Sequence, residues 1–127
     1  MLAAALLAAC AGEATGPRGV VLQAEASYSL PPQTALLAPF SIVNHGSTTV
    51  QVPTCGDRVT VLVDREQDGA WVEAYGGACP ANLSMVPVSL APGGVLDGRV
   101  PFGTGGTFRL RLPLDARQAV SRRFTVR

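Results

Sequence analysis

Side chains that could catalyse a reaction are few in this chain. Its 127 residues include one histidine, His45, in the turn-forming run Asn44-His45-Gly46-Ser47. Catalysis by a nucleophile needs a base and an orienting group nearby. A blue-copper centre, in which Met85 could be the axial ligand, needs two histidines. Neither a triad nor a histidine metal site can be assembled from these residues. We therefore predict that the protein is not an enzyme and uses no metal or cofactor.

A group of carboxylates in one segment suggests calcium at first sight. Calcium loops place oxygen ligands at regular short spacing around a glycine turn, whereas Arg58 and Arg65 interrupt this series. A solvated strand face whose charges pair with one another is the better interpretation. The carboxylates are those of Asp57, Asp64, Glu66 and Asp68.

Arginines gather at outward positions of the last two predicted strands. The candidate site for an anionic ligand comprises Arg109, Arg111 and Arg123, with Arg122 and Arg127 close by in the sequence. The alternative is a charged outer face that prevents edge-to-edge aggregation. The whole chain has 10 basic and 9 acidic residues, so it lacks the basic excess that nucleic-acid binding requires. We predict no nucleic acid among its partners.

The segment Leu7-Ala8-Ala9-Cys10 closes an apolar run and resembles a bacterial lipobox, at which a precursor is cleaved before a cysteine that carries lipid. We expect residues 1–9 to be a signal peptide, Cys10 to be lipidated, and residues 10–19 to form a flexible tether. A complete export signal begins with basic residues, so we expect the true start upstream of Met1. The predicted location is the bacterial cell envelope, with the lipid in the outer membrane and the domain facing the periplasm or the cell surface.

Assigning Cys10 to lipid leaves Cys55 and Cys79 as a pair. An exported domain sits in an oxidising compartment, so the sequence predicts a disulfide between them. Closing a loop of about 24 residues would contribute roughly 3 kcal/mol on the chain-entropy model. The bridge should be peripheral and should join the end of the third strand to the loop after Tyr75.

The elements that must position these residues are strands, because apolar side chains recur with period 2 between turn signals. The sequence predicts an all-β, immunoglobulin-like antiparallel β-sandwich of about eight or nine strands in residues 20–127. Hairpins are predicted at 44–47, at Gln67-Asp68-Gly69 and at 103–106, and one helical turn at 115–119. Trp71, Glu73 and Tyr75 are predicted to share one face. The predicted strands are 20–30, 36–44, 48–54, 59–66, 70–75, 85–90, 95–102, 107–114 and 122–127.

These turn and core motifs, with the cysteine pair, resemble the small immunoglobulin-like lipoproteins of bacteria and, more distantly, the intracellular proteinase inhibitor domain. The motifs are Phe40-Ser41-Ile42-Val43-Asn44, Asp68-Gly69-Ala70-Trp71, Leu90-Ala91-Pro92-Gly93 and Gly106-Thr107-Phe108-Arg109-Leu110. The first resemblance implies a lipid-anchored extracytoplasmic binding or accessory module. Its expected partners are the membrane, through the lipid on Cys10, and a cell-envelope protein or an anionic glycan. The alternative is a proteinase inhibitor that uses an exposed, disulfide-supported loop such as 76–83.

Overall fold

The computed structural model describes residues 19–77, 79–115 and 117–127, which form strands, turns and loops with no helix among them. In chain order the strands are β1 (Val20–Gln23), β2 (Ser27–Tyr28), β3 (Leu36–Asn44), β4 (Val50–Val52), β5 (Thr54–Cys55), β6 (Arg58–Val59), β7 (Leu62–Gln67), β8 (Ala70–Gly76), β9 (Val88–Leu90), β10 (Val95–Phe102), β11 (Gly106–Leu114), β12 (Arg117–Val120) and β13 (Phe124–Val126).

Two sheets contain the longer strands. The first sheet has the order β1-β3-β10, and the second has the order β2-β13-β11-β7-β8, with β12 also paired to β11. Neighbouring strands are antiparallel except β13 and β2, which run parallel. Antiparallel pairs of β4 with β9 and of β5 with β6 accompany the two sheets.

The two sheets pack face to face on one hydrophobic core. The ring of Phe102, in β10 of the first sheet, lies 4.7 Å from that of Phe108 and 5.8 Å from that of Phe124, both in the second sheet. Each side chain of this size stabilises the fold by roughly 1.5–3 kcal/mol when it is fully buried. The chain is an all-β, immunoglobulin-like sandwich, and the predicted fold class is confirmed.

The hairpin predicted at Asp68-Gly69 is confirmed. It joins β7 to β8, and its two central residues have positive φ angles of 51° and 79°. A two-residue turn with both φ angles positive matches the right-handed twist of the strands that it connects, and Asp-Gly tolerates that conformation.

The other two predicted hairpins are wrong. Strand β3 pairs with β1 and β10, whereas β4 pairs with β9. Likewise β10 lies in the first sheet and β11 in the second, so residues 103–106 cross between the sheets. Turn-forming residues reverse the chain, but they do not decide whether the two arms pair with each other or with distant strands.

The prediction that Trp71, Glu73 and Tyr75 share a face is also wrong, because a β-bulge interrupts β8. The register between β7 and β8 shifts at Val63 and Asp64. Beyond the bulge Tyr75 opposes the buried Val63, and its ring lies 6.1 Å from that of a core phenylalanine. Trp71 and Glu73 remain on the outer face. An additional residue in one strand reverses the side-chain alternation that follows it.

Two smaller predictions also need correction. The single strand predicted for 20–30 is two strands, β1 and β2, because the chain passes from the first sheet to the second between them. The helical turn predicted for 115–119 is wrong, since residues 117–120 form strand β12 against β11.

Candidate functional site

The predicted arginine patch lies on the outer face of the second sheet, around one covered carboxylate. Arg109 and Arg111 each donate from Nε to the same oxygen, Oδ2 of Asp64, at 2.8 Å. Asp64 is only 2% exposed because these two guanidinium groups cover it. The guanidinium carbon of Arg109 also lies 4.7 Å from the centre of the Trp71 ring, a cation–π contact.

The remaining charges of this face are paired as well. Arg111 donates from Nη2 to Oε1 of Glu73 at 2.7 Å, and Nη2 of Arg123 lies 3.1 Å from Oε1 of Glu66. Strand pairing brings these groups together: β11 lies beside β7, which lies beside β8. The three arginines therefore face three carboxylates, which balances the charge of the surface.

This pairing determines the protonation of Asp64. Burial by itself raises the pKa of a carboxyl, but hydrogen bonds from Arg111 and Arg109, together with their positive charges, outweigh it and lower the pKa of Asp64. Asp64 in turn raises the pKa of Arg111, chiefly through the hydrogen bond. An anionic ligand at Arg109 and Arg111 would have to compete with this covered carboxylate. The anion-binding patch stays a prediction.

The predicted disulfide joins Cys55 to Cys79, with Cα atoms 5.6 Å apart. It connects the end of β5 to the segment after β8, at the periphery of the sandwich. Beyond Cys79 the chain continues to the end of β9, and we call residues 79–90 the Cys79 loop. The disulfide therefore fixes one end of this loop, and the β4–β9 pairing fixes the other.

Two hydrogen bonds hold the Cys79 loop between these ends. The backbone N–H of Gly56 donates to the carbonyl of Ser84 at 2.8 Å, and Oγ1 of Thr54 donates to the carbonyl of Val86. These contacts keep the register of the β4–β9 pair, in which Val52 opposes Val88. Residues 84–90 therefore run antiparallel to 50–56, and we call them the edge segment.

Large apolar side chains of the Cys79 loop are exposed although its backbone is fixed. Met85 is 67% exposed and Val86 62%, and Leu83 and Val88 are exposed to a lesser degree. An ordered segment that exposes adjacent apolar side chains presents a surface suited to a partner. The Cys79 loop is therefore the strongest candidate docking surface in the described part of the chain.

No protein-family model matches the chain, and no curated protein matches it. Within the described residues, no helix is long and apolar enough to span a membrane. The same residues contain no group of three or more His, Cys, Asp or Glu side chains arranged to hold a metal ion. Cys10, the predicted lipidation site, lies outside the described residues.

A polar groove lies where β1 leaves the first sheet. This open groove of about 720 Å³ has the charged side chains of Glu25, Asp97, Arg99 and Arg122 around it. Asp97 accepts a hydrogen bond from Ser41 at 2.8 Å. Two acidic and two basic groups balance, so the groove selects neither anions nor cations by its net charge.

The sequence predictions placed a possible binding loop at 76–83, whereas the exposed apolar side chains lie at 83–88. One sequence signal marks this region: no Asp, Glu, Lys, Arg or His occurs between Glu73 and Asp97. An uncharged stretch of this length is unusual for an exposed segment, which normally contains charged residues.

Proposed function

We propose that the chain is a non-catalytic, lipid-anchored module of the bacterial cell envelope that binds a partner protein through the Cys79 loop. The observation that supports the docking surface is the exposure of Met85 and Val86 on a backbone held by a disulfide and two hydrogen bonds. Because the loop is already ordered, little conformational entropy is lost when it binds. Buried apolar anchors of this kind dominate the energetics of protein interfaces.

The lipid anchor rests on the sequence of residues 7–10 and on the odd number of cysteines. With Cys55 and Cys79 bonded to each other, Cys10 is the one cysteine left for acylation. Mass spectrometry of the membrane-fraction protein should detect acyl mass on Cys10, and Cys10→Ser should abolish it. An unmodified Cys10 in the membrane fraction would contradict this part of the proposal.

Comparative crosslinking in the native envelope tests the docking surface. The double variant Met85→Ser/Val86→Ser removes the two most exposed anchors, and Val95→Ser removes an equally exposed valine from β10 as the matched control. We expect specific crosslinked proteins to be retained by the control and lost by the double variant. An identical set of partners for all three proteins would refute the Cys79 loop as the docking surface.

A proteinase inhibitor is the second candidate, and the bracing of the Cys79 loop favours it. An inhibitory loop must fit a protease cleft while resisting distortion, and a disulfide with scaffold hydrogen bonds provides that rigidity. Titration of the protein against proteases with apolar primary specificity tests this role, with Leu83→Ala and Met85→Ala as loop variants. Absence of inhibition, or inhibition unchanged by both substitutions, would exclude it.

A further inference from the structure

The edge segment has one paired side and one free side. The carbonyls of Ser84 and Val86 both face residues 54–56. In an extended antiparallel chain, the N–H and C=O of each residue point to one side and those of the next residue to the other. The backbone groups of Met85, Pro87 and Ser89 therefore face away from the fold. Strand β9 pairs with β4 alone among the described strands.

Two exposed valines of the edge segment lie on the same face as a core residue, next to the free side. Val52 and Val88 are directly opposite each other, so their side chains share a face, and Val86 lies two residues before Val88 on that same face. Val52 is fully buried, whereas Val86 and Val88 are exposed at the rim. A strand placed beside the edge segment would cover these valines and continue the core outward.

The two long edge strands elsewhere in the described chain carry more features that oppose pairing than the edge segment does. Strand β8 carries the bulge and the charged Glu73. Strand β10 carries Asp97, Arg99 and Pro101, and the carbonyl of Pro101 already accepts a hydrogen bond from the Tyr75 hydroxyl at 2.5 Å. Charges, prolines and bulges are the usual means by which proteins prevent edge pairing. The edge segment has only Pro87.

We propose that the free side of the edge segment accepts an extended, uncharged segment of the partner protein as an added β-strand. This inference rests on the proposed function and states how its docking surface is used. The absence of charge favours a partner segment that is itself uncharged and apolar at alternate positions, as strand addition requires. A second copy of this chain fits less well, because Pro87 has no N–H. Symmetric pairing about Pro87 would lose a donor from both strands, whereas a foreign strand loses one.

A fluorescein-labelled acetyl-(Thr-Val)₄-amide peptide serves as the probe, and its binding to the full-length chain in mild detergent is followed by fluorescence anisotropy. Val86→Lys adds a charge to the edge and should weaken binding about tenfold or more. Val95→Lys is the matched control, since Val95 is 59% exposed and Val86 62%. The control should bind within about twofold of the unsubstituted protein. Equal effects of the two substitutions would overturn the proposal.

A second pair of variants separates strand addition from contact by side chains alone. Ser89→Pro removes a backbone donor from the free side, and Ser89→Ala removes only the hydroxyl that bonds Gln51 at 2.9 Å. We expect about a tenfold loss for the proline variant and little change for the alanine variant. If Ser89→Pro does not fold, the same peptide N-methylated at alternate residues tests the same hydrogen bonds and should not bind.

The outcomes distinguish the two proposals. If the N-methylated peptide binds as tightly as the unmodified one, strand addition is wrong, although side-chain docking at the Cys79 loop survives. If the unmodified peptide shows no saturable binding, strand addition is wrong as well, and envelope crosslinking decides the fate of the docking surface. A concentration-dependent dimer that Val86→Lys abolishes would show that a second copy of this chain, and not a partner strand, occupies the free side. That result would overturn the proposal.

Discussion

Replacing Asp64 with Asn tests the central ion-pair cluster of the second sheet. The substitution keeps the size of the side chain and one acceptor oxygen, but removes the charge that Arg109 and Arg111 share at 2.8 Å each. Hydrogen bonds to charged groups contribute roughly 1.5–3 kcal/mol each, and removing a partner from a buried pair costs roughly 3–5 kcal/mol. Here the arginines remain partly solvated, with 28% and 16% of their side chains exposed, so they can be rehydrated. We expect a loss of about 2 kcal/mol at pH 7.

The pH dependence of this loss identifies its cause. Folding lowers the pKa of Asp64 from its ordinary value of 3.8, so in acid the unfolded chain binds the proton more readily than the folded one. The stabilisation by the Asp64 charge is therefore complete above pH 3.8 and is lost as the pH falls through the lowered pKa. The difference between the parent protein and Asp64→Asn should therefore stay constant down to about pH 4 and shrink as the pH falls towards about pH 2.

Urea unfolding followed by fluorescence of the single Trp71 measures both quantities, with Asp57→Asn as the control. Asp57 is exposed and makes no ion pair among the described residues, so its substitution should change stability by less than about 0.5 kcal/mol. A loss for Asp64→Asn as small as that of the control would refute the assigned role. A loss at pH 2 equal to that at pH 7 would show that shape, and not charge, is responsible.

Three further predictions concern a buried amide, a close contact at a glycine, and a partly exposed tyrosine. Asn44→Ala should destabilise the fold by about 3 kcal/mol, because the fully buried amide makes three hydrogen bonds to backbone groups. Asn82 is exposed, so Asn82→Ala should leave the stability measured by thermal unfolding nearly unchanged. Gly98→Ala should cost about 2 kcal/mol of folding stability, since its Cβ would overlap the ring of Phe40, which lies opposite in β3. Gly103→Ala has open space around it and should not destabilise the fold. Burial raises the pKa of Tyr75 to about 12. The stabilisation by its neutral hydroxyl is therefore complete below pH 10 and declines as the pH rises towards 12. Tyr75→Phe should reduce this alkaline loss of stability in urea titrations.

The local features of the fold were predictable because they depend on neighbouring residues. Asp68 and Gly69 both adopt positive φ, which a hairpin turn requires and which this residue pair tolerates. The alternation of Phe108 and Leu110 with Arg109 and Arg111 places the first pair in the core and the second outside. Period-2 alternation is a direct consequence of strand geometry, so it is read from the sequence without knowledge of the partner strands.

Pairing between distant strands was not predictable in the same way. Leu36–Asn44 pairs with Val95–Phe102 over eight residues, although more than fifty positions separate the two strands and a hairpin with its neighbour was expected instead. Registers of this kind are set by how a whole face is buried, to which every strand contributes. The bulge that turns Tyr75 inward has the same character. It has no signature in the sequence of β8.

The candidate site also depends on pairing between distant strands, and this pairing decides which side chains are free to bind a ligand. Arg109 and Arg111 have the side chains that sequence reasoning associates with ligand binding, but each has part of its donor capacity committed to Asp64. An anion must therefore displace a carboxylate already fixed by two hydrogen bonds or use the guanidinium N–H groups that remain. Val86 has no reactive group, but it is exposed on a fixed edge. A partner that covered this side chain would stabilise the complex by removing apolar surface from water. We therefore expect binding free energy to come from the uncharged edge and not from the paired charges.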